Sequence, residues 1–402
     1  MLARLTIGVL MSLVLCVDAA AGQAENSDAG KKYELKGLSA TVSPPRLVAR
    51  RKGHCWFPSL LRLDNGDLLA QAQTTGDDFK YPNPGVYMWS SDGGLTWTAP
   101  AEINYIGDAH LRLPSGDELL LPYYMKALPN GGMGAPCNVI PKGKRQVVPL
   151  ESGVSVNGLR SDKPFSSQAQ QIGITGFVFN GQTLAQKDGG YLAMVYGRFQ
   201  DAAIDSLVVV ESKDGIKWAV RSIVFDGKNG PLPAMSEGAN ECSICRLKDG
   251  RLMCIFRMGG YAYGQCWSPD EGRTWTAPAR MKNDAAGNVQ PALLVLKNGV
   301  VVLAGGRPGV NLWFNLDGGG NEWQKLDLLA HHNAALPAFP IKLHEGQNYG
   351  HGRATGYTDV VALDDSHLMF IYDRTSTVWP PKHDAANELD MDSVWVVKVE
   401  LK

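Results

Sequence analysis

The chain has 402 residues, with 39 Lys+Arg against 40 Asp+Glu and a formal charge of −1. That balance removes any global electrostatic case for binding nucleic acid or an anionic membrane surface; anion binding would need a local basic cluster. The 45 glycines and 10 tryptophans describe many tight turns and many large aromatics, which points to an all-β fold, where one domain can exceed the usual size.

Residues 1–22 read as an export signal. One positive charge precedes an apolar run, Leu5–Val17, and small residues follow in DAAAGQA, where cleavage is expected. The run is short for a bilayer span, and no other stretch is apolar enough for one. The expected location is therefore periplasmic or secreted. Residues 23–45 are polar, lack periodicity, and read as a linker into the first strand.

From residue 46 onward a unit repeats: an apolar run, a tight turn, a second apolar run. It appears as LLRLDNGDLLAQAQ from Leu60, HLRLPSGDELLLPYY from His110 and TLAQKDGGYLAMVYGR from Thr183. It recurs as SICRLKDGRLMCIFR from Ser243, ALLVLKNGVVVLAGGR from Ala292 and DVVALDDSHLMFIYDR from Asp359. The Asp-Gly, Asn-Gly and Ser-Gly centres supply the positive φ that hairpin turns need. The spacing leaves room for more strands, and four are visible: VYMWSSDGGLTW, LVVVESKDGIKW, GQCWSPDEGRTW and NLWFNLDGGGNEW. Two further strands per hairpin predict four-stranded antiparallel blades, and six hairpins predict a six-bladed β-propeller over 46–402. The stretch between Pro122 and Thr183 lacks such a turn and carries a long irregular insertion. The last strand, SVWVVKVEL, is expected to close the ring against N-terminal sequence.

Seven cysteines occur, and an exported chain can oxidise them. A two-residue Asp249–Gly250 loop would set Cys245 opposite Cys254, compatible with a cross-strand disulfide or with two reduced buried thiols. His331 and His332 are adjacent and would point apart in a strand. No His/Cys cluster has ligand spacing, so no metal or other cofactor is expected.

The turn S-x-D-x-G-x-T-W is complete in SPDEGRTW, Ser268–Trp275, and in SSDGGLTW from Ser90; it is degenerate at Ser212–Trp218 and Asn315–Trp323. It resembles the Asp box of sialidases and related propellers. Its aspartate caps turn amides and its Trp packs between strands. Trp97, Trp218, Trp275 and Trp323 should therefore be buried on the rim opposite the site. The other rim, where first strands start and second strands end, carries Arg198, Arg257, Arg307 and Arg374 at second-strand ends. Asp108, Glu237, Glu241 and Tyr357 stand at first-strand starts, and Asp77 and Asp78 follow the first hairpin. Four arginines at corresponding positions point to an anionic ligand in a central pit.

Three segments extend the resemblance. SEGANECSICRLKDGRLMCIFR is similar to the sialidase segment with a catalytic glutamate and a carboxylate-binding arginine, implying those roles for Glu241 and Arg257. GYTDVVALDDSHLMFIYDR is similar to the segment bearing the nucleophilic tyrosine, implying Tyr357, and GGRPGVNLWFNLDGGG implies a second clamp arginine at Arg307. The chemistry agrees: a carboxylate nucleophile would be repelled by the carboxylate of a sialic acid, whereas a phenol is neutral until it reacts. A free tyrosine has a pKa of about 10, so a neighbouring carboxylate must take its proton, with Glu241 the candidate. An aspartate, Asp78 or Asp77, would protonate the leaving oxygen.

One departure stands out. Sialidases begin the first blade with an arginine two residues before a proline, and HCWFPSLLRLDNGDLLA carries Trp56 there. Arg198, Arg374 or Arg353 would have to substitute, while Trp56 would offer a flat face to a sugar ring. The resemblance thus implies an exo-glycosidase acting on a terminal sialic acid or related acidic sugar of a glycan or glycoconjugate. Two other readings are a propeller hydrolase or lyase for a different acidic glycan, in which His54, His110, His344 and His351 would matter, and a non-catalytic glycan-binding propeller.

Overall fold

The computed structural model describes residues 30–77, 81–129, 131–159, 174–229, 237–259, 262–281, 287–343, 353–376 and 391–402. All six turn-centred units fold as antiparallel hairpins. They are Trp56–Arg62 with Leu68–Gln73, His110–Arg112 with Glu118–Leu120, and Ile174–Ala185 with Tyr191–Gly197. The others are Asn240–Arg246 with Leu252–Arg257, Ala292–Val295 with Val301–Gly306, and Thr358–Ala362 with His367–Arg374. Third strands Gly85–Ser90, Ser206–Ser212, Tyr263–Ser268 and Val310–Asn315 each run into a box turn and a fourth strand. Three sheets built this way have four strands each.

Two sheets depart from the uniform four-strand expectation. The first has six strands, among them Asp392–Leu401, which pairs with His367–Arg374 on one side and with Arg46–Arg51 and Leu38–Val42 on the other. The terminal strand thus joins the two ends of the chain, as its sequence foretold. Residues 31–42, expected as linker, instead form a hairpin of Lys31–Leu35 with Leu38–Val42. Only Ala40 and Val42 of that hairpin are fully buried. An edge hairpin with so little apolar surface shows almost no period-2 signal.

The second large sheet has nine strands. The insertion after Pro122 contributes Tyr124–Ala127, Met133–Ile140 and Val148–Asn157, and the last of these pairs in parallel with Lys217–Phe225. Two hairpin units expected in separate sheets are therefore continuous. Tyr124–Ala127 pairs with both Met133–Ile140 and Ile174–Ala185, which closes seven of the nine strands into a ring. The insertion covers sheet edges that would otherwise expose unpaired backbone.

The first strands of the hairpins line the inside. Thr358–Ala362 touches Trp56–Arg62 and Ala292–Val295; Asn240–Arg246 touches Ala292–Val295 and Ile174–Ala185; and Ile174–Ala185 touches His110–Arg112. Leu61, Leu69 and Trp89 pack on Leu120 and Ile140, completing the succession of sheets.

The box turns follow the sequence closely. Asp270 accepts from the amides of Arg273 and Thr274 and from the Thr274 hydroxyl, while Ser268 Oγ donates to Asp270 and accepts from Gly272 N. Donation from Thr274 holds the Asp270 carboxyl down at about 2. In the degenerate turn Asn315 does the work of the serine, accepting from Gly320 N at 2.9 Å and donating to Glu322 O at 2.7 Å. Trp218 and Trp323 are buried as expected, but Trp97 and Trp275 are only half-buried. The outer strands after those two, Ala101–Ile103 and Ala279–Arg280, are very short. Trp218→Ala should therefore cost about 3–5 kcal/mol of stability, and Trp275→Ala about half as much, in equilibrium urea unfolding.

Two local expectations are corrected. The Asp249–Gly250 turn spans three residues, with Leu247 N donating to Arg251 O, so Cys245 faces Met253, and Cys254 faces Ile244 and Cys266. The one-residue shift removes the Cys245–Cys254 pairing, and the six described cysteines are free and buried. His331 and His332 lie in an α-helix, Leu328–Ala335, capped by Asp327. His331 bonds Tyr33 and His332 bonds Tyr372. Among the described residues no helix is long and apolar enough to cross a membrane, and no group of three His, Cys, Asp or Glu could hold a metal ion.

Candidate active site

Where the inner strands begin, the sheets surround a pit of about 810 Å³, open mouth included. At its floor the Tyr357 hydroxyl donates a short hydrogen bond to Glu241 Oε1. Glu241 Oε2 accepts from Arg257 Nη1 at 2.9 Å, and Arg257 Nη2 reaches Glu237 at 2.9 Å. The Arg307 guanidinium stands 5.5 Å from the Tyr357 ring centroid and donates through Nε and Nη2 to the Thr355 carbonyl. Three consecutive sheets thus bring together Tyr357, Glu241, Arg257 and Arg307.

Local backbone distortion aims these groups. The ladder is irregular between Asn240 and Cys242 and between Trp56 and Ser59. Glu241, Phe57 and Arg307 all have positive φ, of 26°, 50° and 52°. Bulges re-aim side chains, and strained non-glycine residues gather at functional sites. Gly356 precedes Tyr357 with φ of 81°, and a Cβ there would lie 2.8 Å from Arg307 N. Only glycine lets the start of the Tyr357 strand pass this close to Arg307.

Behind the floor, Asp373 organises the same residues. Its carboxylate accepts from Thr355 N at 2.8 Å, from the Thr355 hydroxyl, and from Phe57 N at 3.1 Å. Thr355 in turn accepts from Tyr357 N and holds Arg307. In the pit wall, Asp108 accepts from Gly181 N and Gln290, and Asn180 links Gln290 to Cys242 N, next to Glu241.

Burial pushes the Tyr357 phenol well above its ordinary range; Glu241 pushes the same way, and Arg257 and Arg307 oppose it. The phenol therefore holds its proton at rest and needs a base to become a nucleophile. Burial also raises the Asp359 and Asp373 carboxyls to about 7 and moves Asp108 upward.

The other expected residues fall into three groups. Asp77 lines the pit, whereas Asp78, like His344 and His351, lies outside the described residues. Arg198 is not brought to Tyr357: it pairs with Asp205 at 2.8 Å, and Asp205 also binds Asn240. Arg374 donates to Pro340 O and sits 5.9 Å from the Phe339 ring. Of the remaining candidate histidines, His54 stacks on Trp56, and His110 bonds Glu118.

Trp56 offers no face to a ligand. It is 1 % exposed, donates from Nε1 to Thr75 O, and is stacked by His54 and Phe57. The bulge turns Phe57 to the pit in its place, edge-on to Tyr357 at 4.6 Å. Trp56→Arg would put a buried cation into this packed position. It should cost about 3–5 kcal/mol and give no gain in affinity for a carboxylated ligand, as thermal melting and calorimetric titration would read.

The pit also uses residues that the sequence did not single out: Phe57, Tyr123, Tyr124, Gln290 and Asp359. Tyr123 shares a short hydrogen bond with buried Tyr196. Both tyrosines lie in or beside apolar strands, where their rings read as core.

Residues 157–370 match the BNR repeat-like domain family. No curated protein matches the sequence. Among solved structures, a protein of unknown function from Dyadobacter fermentans is 18% identical, with a TM-score of 0.62 over 90% of this chain and 99% of that one. An α-L-arabinofuranosidase of Fusarium graminearum is 13% identical, with a TM-score of 0.57 over 88% of this chain and 97% of that one. The NanB sialidase of Streptococcus pneumoniae is 16% identical, with a TM-score of 0.52 over 89% of this chain and 71% of that one. At such identities the likeness is one of fold.

Proposed function

The chain belongs to the BNR repeat-like domain family, and on that premise we propose that it is an exo-acting glycoside hydrolase on a six-bladed propeller. The five sheets read as six blades if the nine-stranded sheet supplies two. The observation that carries the activity is the Tyr357 hydroxyl hydrogen-bonded to Glu241, with Arg257 on the far carboxylate oxygen.

In the proposed reaction Tyr357 Oη attacks the anomeric carbon as Glu241 takes the phenolic proton. Asp77 or Asp78 protonates the glycosidic oxygen, whose bond to the anomeric carbon breaks. Water then attacks the tyrosyl-linked sugar, giving its proton to the same aspartate, and Tyr357 recovers its proton from Glu241. Arg257 steadies the Glu241 carboxylate, and Arg307 stabilises the developing phenolate through its position over the ring. A closed pit favours a chain end over an internal linkage.

Two sugar classes compete for the pit. Arg257 and Arg307 beside Tyr357 support a sialic acid or related acidic sugar. The composition of the wall supports a neutral one. Residues 1–22 are proposed as a removable export signal, which places the activity outside the cytoplasm.

The testing experiment is proton NMR of products from aryl glycosides and oligosaccharides. Release of single terminal sugars with retained anomeric configuration is expected for two displacements. Inverted products would remove the covalent role of Tyr357, and absence of hydrolysis would remove the hydrolase reading.

A further inference from the structure

We infer that the pit takes a neutral sugar and discriminates against carboxylated ones, an inference that rests on the glycosidase reading of this site. Among the described residues that line the pit none is basic, while Asp77, Asp108, Glu241 and Asp359 all bear carboxyl groups. The two arginines that the resemblance assigns to a substrate carboxylate already spend donors within the protein. Arg257 divides its donors among Glu241, Glu237 and Asn288. Arg307 turns Nε and Nη2 onto the Thr355 carbonyl. Of the further candidates, Arg198 pairs with Asp205 and Arg374 donates to Pro340 O.

A carboxylated sugar would therefore meet Asp77 and Glu241 with no basic residue among the described lining, and compete with Glu241 for Arg257. Like charges and desolvated groups left without a partner are the usual means by which a site rejects the wrong ligand. The same wall suits an uncharged polyol. Carboxylates and the amides of Gln73, Asn83 and Gln290 match hydroxyls that both donate and accept. Phe57, Tyr123 and Tyr124 present apolar surface to the C–H face of a sugar ring. The bulge that hides Trp56 puts the Phe57 ring at the pit. An aromatic thus stands beside the position where a carboxylate clamp would begin. The double displacement itself does not require a charged sugar, since the phenol supplies the nucleophile and Glu241 the base for either class.

The test uses the full chain after signal removal. Rates are compared on 4-nitrophenyl glycosides of neutral pentoses and hexoses, in both anomeric forms, on 4-nitrophenyl glucuronide, and on the 4-methylumbelliferyl glycoside of N-acetylneuraminic acid. The best neutral glycoside should exceed the best acidic one in kcat/KM by about 100-fold or more. A preference for either acidic substrate would overturn the inference and leave the hydrolase reading standing. If no glycoside is cleaved, the hydrolase reading falls, and saturation-transfer NMR with the methyl glycosides of the same sugars decides. Binding confined to neutral sugars would sustain the inference; binding of the acidic sugar, or of none, would overturn it.

Discussion

Tyr357→Phe is expected to lower kcat by about 10³-fold or more on any glycoside the protein cleaves, with the fold intact. The substitution removes one oxygen, and the ring still packs against Phe57 and beneath Arg307. The lost hydrogen bond should change stability by only about 1 kcal/mol, because Glu241 keeps Arg257 as a partner. Glu241→Gln should reduce kcat by about 10²–10⁴-fold by removing the proton acceptor, and it also leaves Arg257 with Glu237 alone as its anionic partner. Steady-state kinetics with circular dichroism melting separate these effects. A Tyr357→Phe protein that turns over at the wild-type rate would end the proposed nucleophile role.

Asp373→Asn is expected to have the largest effect of any change that leaves the pit lining untouched. Both carboxylate oxygens accept, three donors in all: Thr355 N, the Thr355 hydroxyl and Phe57 N. An amide keeps one oxygen and turns N–H groups toward donors on the other side. A buried donor left unsatisfied costs about 1–3 kcal/mol, so a loss of about 2–5 kcal/mol is expected in urea unfolding. Activity per folded molecule should fall by about 10²-fold, because Thr355 sets both the Tyr357 amide and the Arg307 guanidinium and small misplacements are costly in catalysis.

Asp373 is thus a positioning residue, and pH gives a second readout. Its folded pKa is raised to about 7 by burial, against about 4 in an unfolded chain. The folded state therefore holds the proton more tightly. Asp373 contributes stability in full below about pH 4 and loses it as pH rises through about 7. Asp359 adds a slope of the same sign. The Asp373→Asn protein should show a shallower fall in stability between about pH 4 and 7 than wild type. An unchanged slope would mean that the Asp373 carboxyl does not titrate in that window.

The six hairpins were legible because turn chemistry and period-2 alternation are local properties of the sequence. The Asp boxes were legible for the same reason: serine, aspartate and threonine close their hydrogen bonds within a few residues of one another. Even the meeting of Tyr357 with Glu241, 116 residues apart in sequence, followed from two local facts. Each begins an innermost strand, and the turns place those starts at one end.

What the sequence by itself determined, then, was the kind of strand, the kind of turn and the rim on which each side chain falls. The tertiary structure alone decided three further matters. It joined two expected blades through a parallel pairing of Ser155–Asn157 with Lys217–Ala219, since edge pairing depends on which unpaired strand lies nearby. It moved Phe57 into the pit and Trp56 out of it, because one irregular step in a strand reverses the face of a residue. It also turned arginines expected to await an anion onto Glu241, Glu237, Asp205 and two backbone carbonyls. Charge at a rim can be counted along the chain, but whether a guanidinium is already paired depends on distant groups that only the folded packing brings within reach.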